Sequence, residues 1–269
     1  MEPIRGVAAG VPYLAVPPES GRAPAPLVIV WHLMDAPRTE EAMAAALPLA
    51  GIEAWRVYFG LPLTGARLPA GGVEEVFRLV REDTLLRFLG VSITQAAAEF
   101  PAALAALKAQ LPVADVPVAV VGGSAGGAAA LLTLAEAGES IVAAVAINAA
   151  IRAQSVVALT EGASGVTYTW SDESRRLADR LDFVARAAEL AGRPILIVSG
   201  EADYADFQAD AAALRDALGA PAELAKVPGL AHPLAEEPGL AAAPQTPAAK
   251  VVDALVSEWL VAQFTAGRV

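Results

Sequence analysis

The sequence has no cysteine, two histidines and few aromatic residues, which make up 6% of its 269 positions. Without cysteine there is no disulfide scaffold, no thiolate nucleophile, no iron–sulfur cluster and no cysteine-ligated zinc. Two histidines cannot build a three-histidine metal site. No metal or cofactor is therefore expected, and histidine chemistry has two addresses, His32 and His232. Basic residues are also scarce: 19 Lys and Arg stand against 30 Asp and Glu, a net charge of −11. A chain this acidic, with no dense basic cluster, repels phosphate backbones, which argues against nucleic acid as a partner. Met1–Gly10 has no apolar core with a basic flank, so no secretory signal and a cytoplasmic location are expected. Val116–Ala135 carries no charge, but a glycine cluster at Gly122–Gly127 breaks its centre. A strand, a turn and a helix account for that stretch better than a membrane span does.

Short aliphatic runs alternate with longer Ala/Leu-rich runs. The expected strands are Leu27–Leu33, Ala54–Leu61, Val116–Val121, Ile141–Asn148, Pro194–Ser199 and Ala222–Val227, with an edge strand in Gly6–Val16. Continuous apolar strands are buried on both faces. Helical patterns cover Thr94–Gln110, Ala125–Ala137, Ser174–Ala191, Asp206–Leu218 and Ala248–Phe264. The alternation predicts one α/β domain over residues 1–269, a mostly parallel sheet with helices on both faces. Leu61–Val91 and Arg152–Trp170 fit the alternation poorly and read as irregular, and a lid or pocket insert is expected around 152–191.

The run Val116–Val121 leads into Gly122-Gly123-Ser124-Ala125-Gly126 and then a helical pattern. This is G-x-S-x-G between a strand and a helix, the context that gives the motif its meaning. Small residues two before and two after the serine let the helix approach the strand. The turn lifts the hydroxyl above the sheet edge, close to free N–H groups at the helix start. A dinucleotide loop needs G-x-G-x-x-G and an acidic residue ending the next strand, and neither is present. The Tyr-x-x-x-Lys pair of short-chain dehydrogenases is missing as well: Asp172 follows Tyr168 at that spacing, and Gln208 follows Tyr204.

Further along come Gly200-Glu201-Ala202-Asp203 and Gly229-Leu230-Ala231-His232, each just after an expected strand. The order serine, acid, histidine is that of the α/β-hydrolase triad. From Gly6 to the C-terminal helix the chain resembles this fold family. The GGSAGG elbow is most similar to those of dienelactone-hydrolase-like and prolyl-oligopeptidase-like members.

The resemblance implies a cofactor-independent serine hydrolase with Ser124 as nucleophile, His232 as base and Asp203 as the acid that orients the imidazole. Glu201 and Asp206 are rival acids. An unperturbed imidazole titrates near neutrality, which suits a general base. Related enzymes often carry His-Gly where this chain has His32-Leu33, and the next residue donates an N–H to the oxyanion. The implied donors are the backbone N–H groups of Ala125 and Met34, with Leu33 as the alternative. His32 is expected to brace this loop, and Asp35 to brace it or to contact substrate. Tyr168, Trp170 and Phe59 are expected to line the substrate pocket. The expected substrate is a small or medium carboxylic ester, because esters have better leaving groups than amides and demand less positioning. A peptidase, thioesterase or lactonase would use the same residues, and a non-catalytic binding protein is the reading from another class.

Overall fold

The computed structural model describes residues 2–137 and 140–266. Its strands are β1 (Ile4–Ala8), β2 (Val11–Val16), β3 (Leu27–Trp31), β4 (Trp55–Phe59), β5 (Val118–Gly123), β6 (Ile141–Ile147), β7 (Ile195–Gly200) and β8 (Glu223–Val227). They form one sheet in the order β1-β2-β4-β3-β5-β6-β7-β8. The pairs involving β2 are antiparallel and all the others parallel. Strands β3, β4, β5 and β7 are buried at every residue, Arg56 of β4 included. The expected single edge strand is a hairpin, because Ala9 and Gly10 both take positive φ (48° and 89°) and turn the chain back.

Helices α1 (Glu40–Ala46), α2 (Gly72–Glu82), α3 (Gly90–Gln110), α4 (Ala125–Glu136), α5 (Ala153–Ser164), α6 (Asp172–Arg180), α7 (Ala187–Leu190), α8 (Ala205–Leu218) and α9 (Pro247–Ala266) complete the chain. One apolar core joins the sheet to α3, α4 and α8. A second, on the opposite face, joins it to α1 and α9. Val116–Ala135 is β5, its turn and α4, as expected. Thr84–Gln110, the π-helical turn Thr84–Leu89 running into α3, is long and apolar enough to cross a membrane, and half of its most apolar stretch is buried.

Three expectations need correction. Ser174–Ala191 is not one helix. Leu181 and Phe183 are fully buried, and the turn between α6 and α7 is drawn onto Ile151 and Arg152 by the Phe183 N–H to Ile151 carbonyl bond (3.0 Å). Local propensity yields there to tertiary packing. Arg152–Trp170 is not irregular throughout: it holds α5, closed by Gly165 at φ 69°. Leu61–Val91 likewise holds α2 and the π-helical turn, whose start is capped by the Asp83 side chain on the Leu85 and Leu86 N–H groups.

Candidate active site

Ser124 sits at the turn from β5 to α4 with φ 50° and ψ −119°. This is a region that residues with a side chain rarely enter, and the surroundings must hold it there. They do so through three backbone bonds. The Ser124 N–H donates to Ile147 (3.0 Å), and its carbonyl accepts from Ala128 and Ala150 (3.1 Å each). The glycines make the turn possible: a Cβ at Gly122 would strike the Gly126 carbonyl, and one at Gly126 would strike the His32 carbonyl.

His232 follows β8, and Asp203 follows β7. The His232 Nε2 accepts from Ser124 Oγ at 2.9 Å, and its Nδ1–H donates to Asp203 Oδ1 at 2.8 Å. The carboxylate can only accept, which fixes that tautomer. All three residues are buried. Asp203 Oδ1 also accepts the Tyr204 N–H at 2.7 Å, while Oδ2 is buried without a partner among the described residues. The structure thus brings Ser124, His232 and Asp203 into one hydrogen-bonded chain, and neither Glu201 nor Asp206 bonds to the imidazole. Asp35 Oδ2 lies 3.6 Å from His232 Nε2 and is half exposed.

Sequence reasoning missed the residues that hold the imidazole. The rings of Tyr204 and Phe207 flank it at 5.2 and 4.9 Å, the second edge-on. Asn148, just past β6, is buried at φ 43°. Its Nδ2 donates to the carbonyls of Ala231 (2.8 Å) and His232 (3.2 Å), and its Oδ1 accepts the Gly200 N–H (2.7 Å). One amide therefore ties the histidine loop to the strand end that leads to Asp203. A polar residue closing the apolar run Ile141–Asn148 was the available signal.

The loop expected to hold the oxyanion is built on His32. Its Nδ1–H donates to the Leu33 carbonyl (2.6 Å), and its Nε2 accepts from the Leu61 N–H (3.1 Å). The ring joins the loops after β3 and β4, the bracing position expected for it. The Leu33 N–H is taken by the Pro37 carbonyl at 3.1 Å, which removes Leu33 as a donor. The N–H groups of Met34 and Ala125 have no acceptor among the described residues, and both residues line the cavity that holds Ser124 and His232.

Burial, reinforced by the charge of Arg67, holds His32 well below the ordinary histidine value of 6.5, at about 4. The sign of the consequence follows from linkage. Between those two values the unfolded chain binds the proton and the native chain does not, so stability falls as pH drops. The loss reaches about 3 kcal/mol at pH 4 and levels off below it. His32→Gln should flatten this part of the pH dependence in urea denaturation between pH 7 and pH 4, and an unchanged slope would contradict the buried neutral imidazole.

The cavity above Ser124 has a volume of about 490 Å³. A wider hollow of about 760 Å³ lies between β1, β2 and α1, and none of Ser124, His232 and Asp203 lines it. The three aromatic residues expected in the pocket are elsewhere. Phe59 is in the core, 6.0 Å from the Trp31 ring. Tyr168 is turned away from the cavity because its hydroxyl donates to Asp83 (2.6 Å), and Trp170 packs edge-on against it at 4.9 Å. Of the 152–191 segment only α5 reaches the cavity, through Val156, Leu159 and Thr160, and the main wall is α2 with the turn that follows it. Among the described residues, no three His, Asp or Glu side chains stand together as metal ligands.

No protein-family model matches the sequence, and a search of curated proteins finds no match. Solved structures do match. TT1662 from Thermus thermophilus superposes with a TM-score of 0.61 at 21% identity, covering 96% of this chain and 98% of that one. Est1E from Butyrivibrio proteoclasticus, with ferulic acid bound, gives 0.63 at 15% identity, covering 97% and 99%. The dienelactone hydrolase of Anabaena variabilis gives 0.58 at 19%, covering 97% and 98%. In strand order, elbow and extent of superposition, the chain has the α/β-hydrolase fold.

Proposed function

We propose that this protein is a serine hydrolase that cleaves carboxylic esters. The observation that carries the reading is the Ser124–His232–Asp203 chain, at 2.9 and 2.8 Å, on the floor of a cavity with two free backbone N–H groups. A serine hydroxyl is a weak nucleophile until a base takes its proton. His232 Nε2 takes it as Ser124 Oγ bonds to the ester carbonyl carbon. The carbonyl electrons move to oxygen, and the Ala125 and Met34 N–H groups hold that oxyanion. Each donor contributes roughly 3 kcal/mol to the transition state. Asp203 stabilises the imidazolium through Nδ1. The carbonyl then re-forms, the carbon–oxygen bond to the alcohol breaks, and the imidazolium gives its proton to the departing oxygen. Water repeats the sequence on the acyl-enzyme and releases the acid. The ferulic acid complex and the dienelactone hydrolase among the similar structures support an acyl–oxygen substrate.

A panel of p-nitrophenyl esters, acyl thioesters and aminoacyl anilides tests the class. Esters should be turned over with kcat/KM at least about 100-fold above anilides, since p-nitrophenolate leaves with less assistance than an anilide nitrogen, which must be protonated. Faster anilide turnover would make the protein a peptidase.

A further inference from the structure

Helix α2 poses a packing question that the fold leaves open. Val73, Val76, Phe77 and Val80 fall at i, i+3, i+4 and i+7, one face of a helix. Such a face normally packs against a core. Here no residue of α2 is buried, and Val73 and Phe77 are each 53% exposed. The opposite face is occupied with its own ion pairs, Arg78 with Glu75 and Glu82. All four apolar residues border the cavity whose floor holds Ser124 and His232. The far walls are also apolar, with Leu63, Phe88, Leu159 and Leu240.

The charges around this space are unequal. Arg38 is the sole cation on the wall among the described residues, and its Nη2 is held by both oxygens of Glu237 at 2.9 Å. Asp35 is on the same wall, 3.6 Å from His232 Nε2, and no Lys or Arg pairs with it among the described residues. Arg38 Nε is buried without a partner among the described residues, but the charge of Arg38 is already paired with Glu237, so a carboxylate entering the cavity would lose its hydration and meet Asp35 without an unpaired Lys or Arg to offset it.

Resting on the hydrolase reading above, we propose that the missing partner of the α2 face is the acyl chain of the substrate. The chain is aliphatic, uncharged and longer than acetyl. Bound with its carbonyl at Ser124, it lies against Val73, Val76, Phe77 and Val80. Each methylene placed there leaves water for an apolar wall, and that gain is available to the transition state as well as to the bound ester. The same wall excludes an acyl chain that ends in a carboxylate.

The test compares p-nitrophenyl acetate, p-nitrophenyl octanoate and the octanoate analogue with a terminal carboxylate, alongside fluorophosphonate labelling of the same preparation. The expected kcat/KM for octanoate exceeds that for acetate by at least about tenfold, and exceeds that for the carboxylate analogue by at least as much. Phe77→Asp, at an exposed site that the fold does not depend on, should lower the octanoate-to-acetate ratio at least about tenfold. Glu82→Gln, on the opposite, ion-paired face of the helix, should leave that ratio unchanged. A flat chain-length profile, an equally good carboxylate analogue, or a Phe77→Asp ratio equal to wild type overturns the acyl assignment while labelling stays intact. Failure of both labelling and acetate hydrolysis overturns the hydrolase reading instead.

Discussion

Ser124→Ala should lower kcat for ester hydrolysis by about 10⁶-fold, the size of loss expected when the serine of a triad is removed. The Oγ opens into the cavity with a base, His232 Nε2, at 2.9 Å. Its removal ends the covalent route but leaves the Ala125 and Met34 N–H groups in place. Some residual rate over water, about 10³-fold, should remain from those groups and from binding. The fold should tolerate the change. Alanine keeps the Cβ already accommodated at φ 50°, and the hydroxyl bonds only to His232. His232→Ala should cost about as much, and the double variant little more, because the two residues act as a unit. Steady-state kinetics with one activated ester, beside circular dichroism, would check all three. Additive losses would mean that the two side chains work separately.

Asp203 gives the second large effect, in a form specific to this site. Asp203→Ala removes the acceptor of the imidazole Nδ1–H and should lower kcat by about 10⁴-fold. Asp203→Asn should be far milder, about 10²-fold. An amide commonly defeats a triad by donating to the histidine and forcing the wrong tautomer. Here the Tyr204 N–H points at the Oδ1 position from 2.7 Å, so that position must hold an oxygen. The amide carbonyl takes it and still accepts from His232 Nδ1, and the –NH₂ occupies the place of Oδ2, which has no partner to lose. What disappears is the negative charge that stabilises the imidazolium, not the tautomer. The kcat values of the two variants test this, and equal losses would show that the Tyr204 N–H does not control the amide.

Most of the sheet and the elbow were legible because one principle governed each. Leu27–Trp31 and Ile195–Gly200 are buried on both faces, so their composition alone marked them. Ser124 was legible because its glycines and the preceding strand are contiguous in sequence. Asp203 and His232 follow strands that adjoin in the sheet, so their order along the chain carried over into space. What failed depended on contacts between distant segments. Tyr168 was read as a pocket residue from its place in an irregular stretch, but a single bond to Asp83 turns it elsewhere. The α2 stripe was present as Val73, Val76, Phe77 and Val80, yet the Pro- and Gly-rich lead-in hid its period. Asn148 touches loops more than fifty residues away, and its role existed only once β6, β7 and the histidine loop had met.

The central claim is that Ser124 attacks an acyl carbon with His232 as its base. The most direct measurement is mass spectrometry of the intact protein after a fluorophosphonate, followed by peptide mapping. A single adduct on Ser124, absent from Ser124→Ala and strongly slowed in His232→Ala, is the predicted result. No adduct on the wild-type protein, or one that persists in Ser124→Ala, would contradict it.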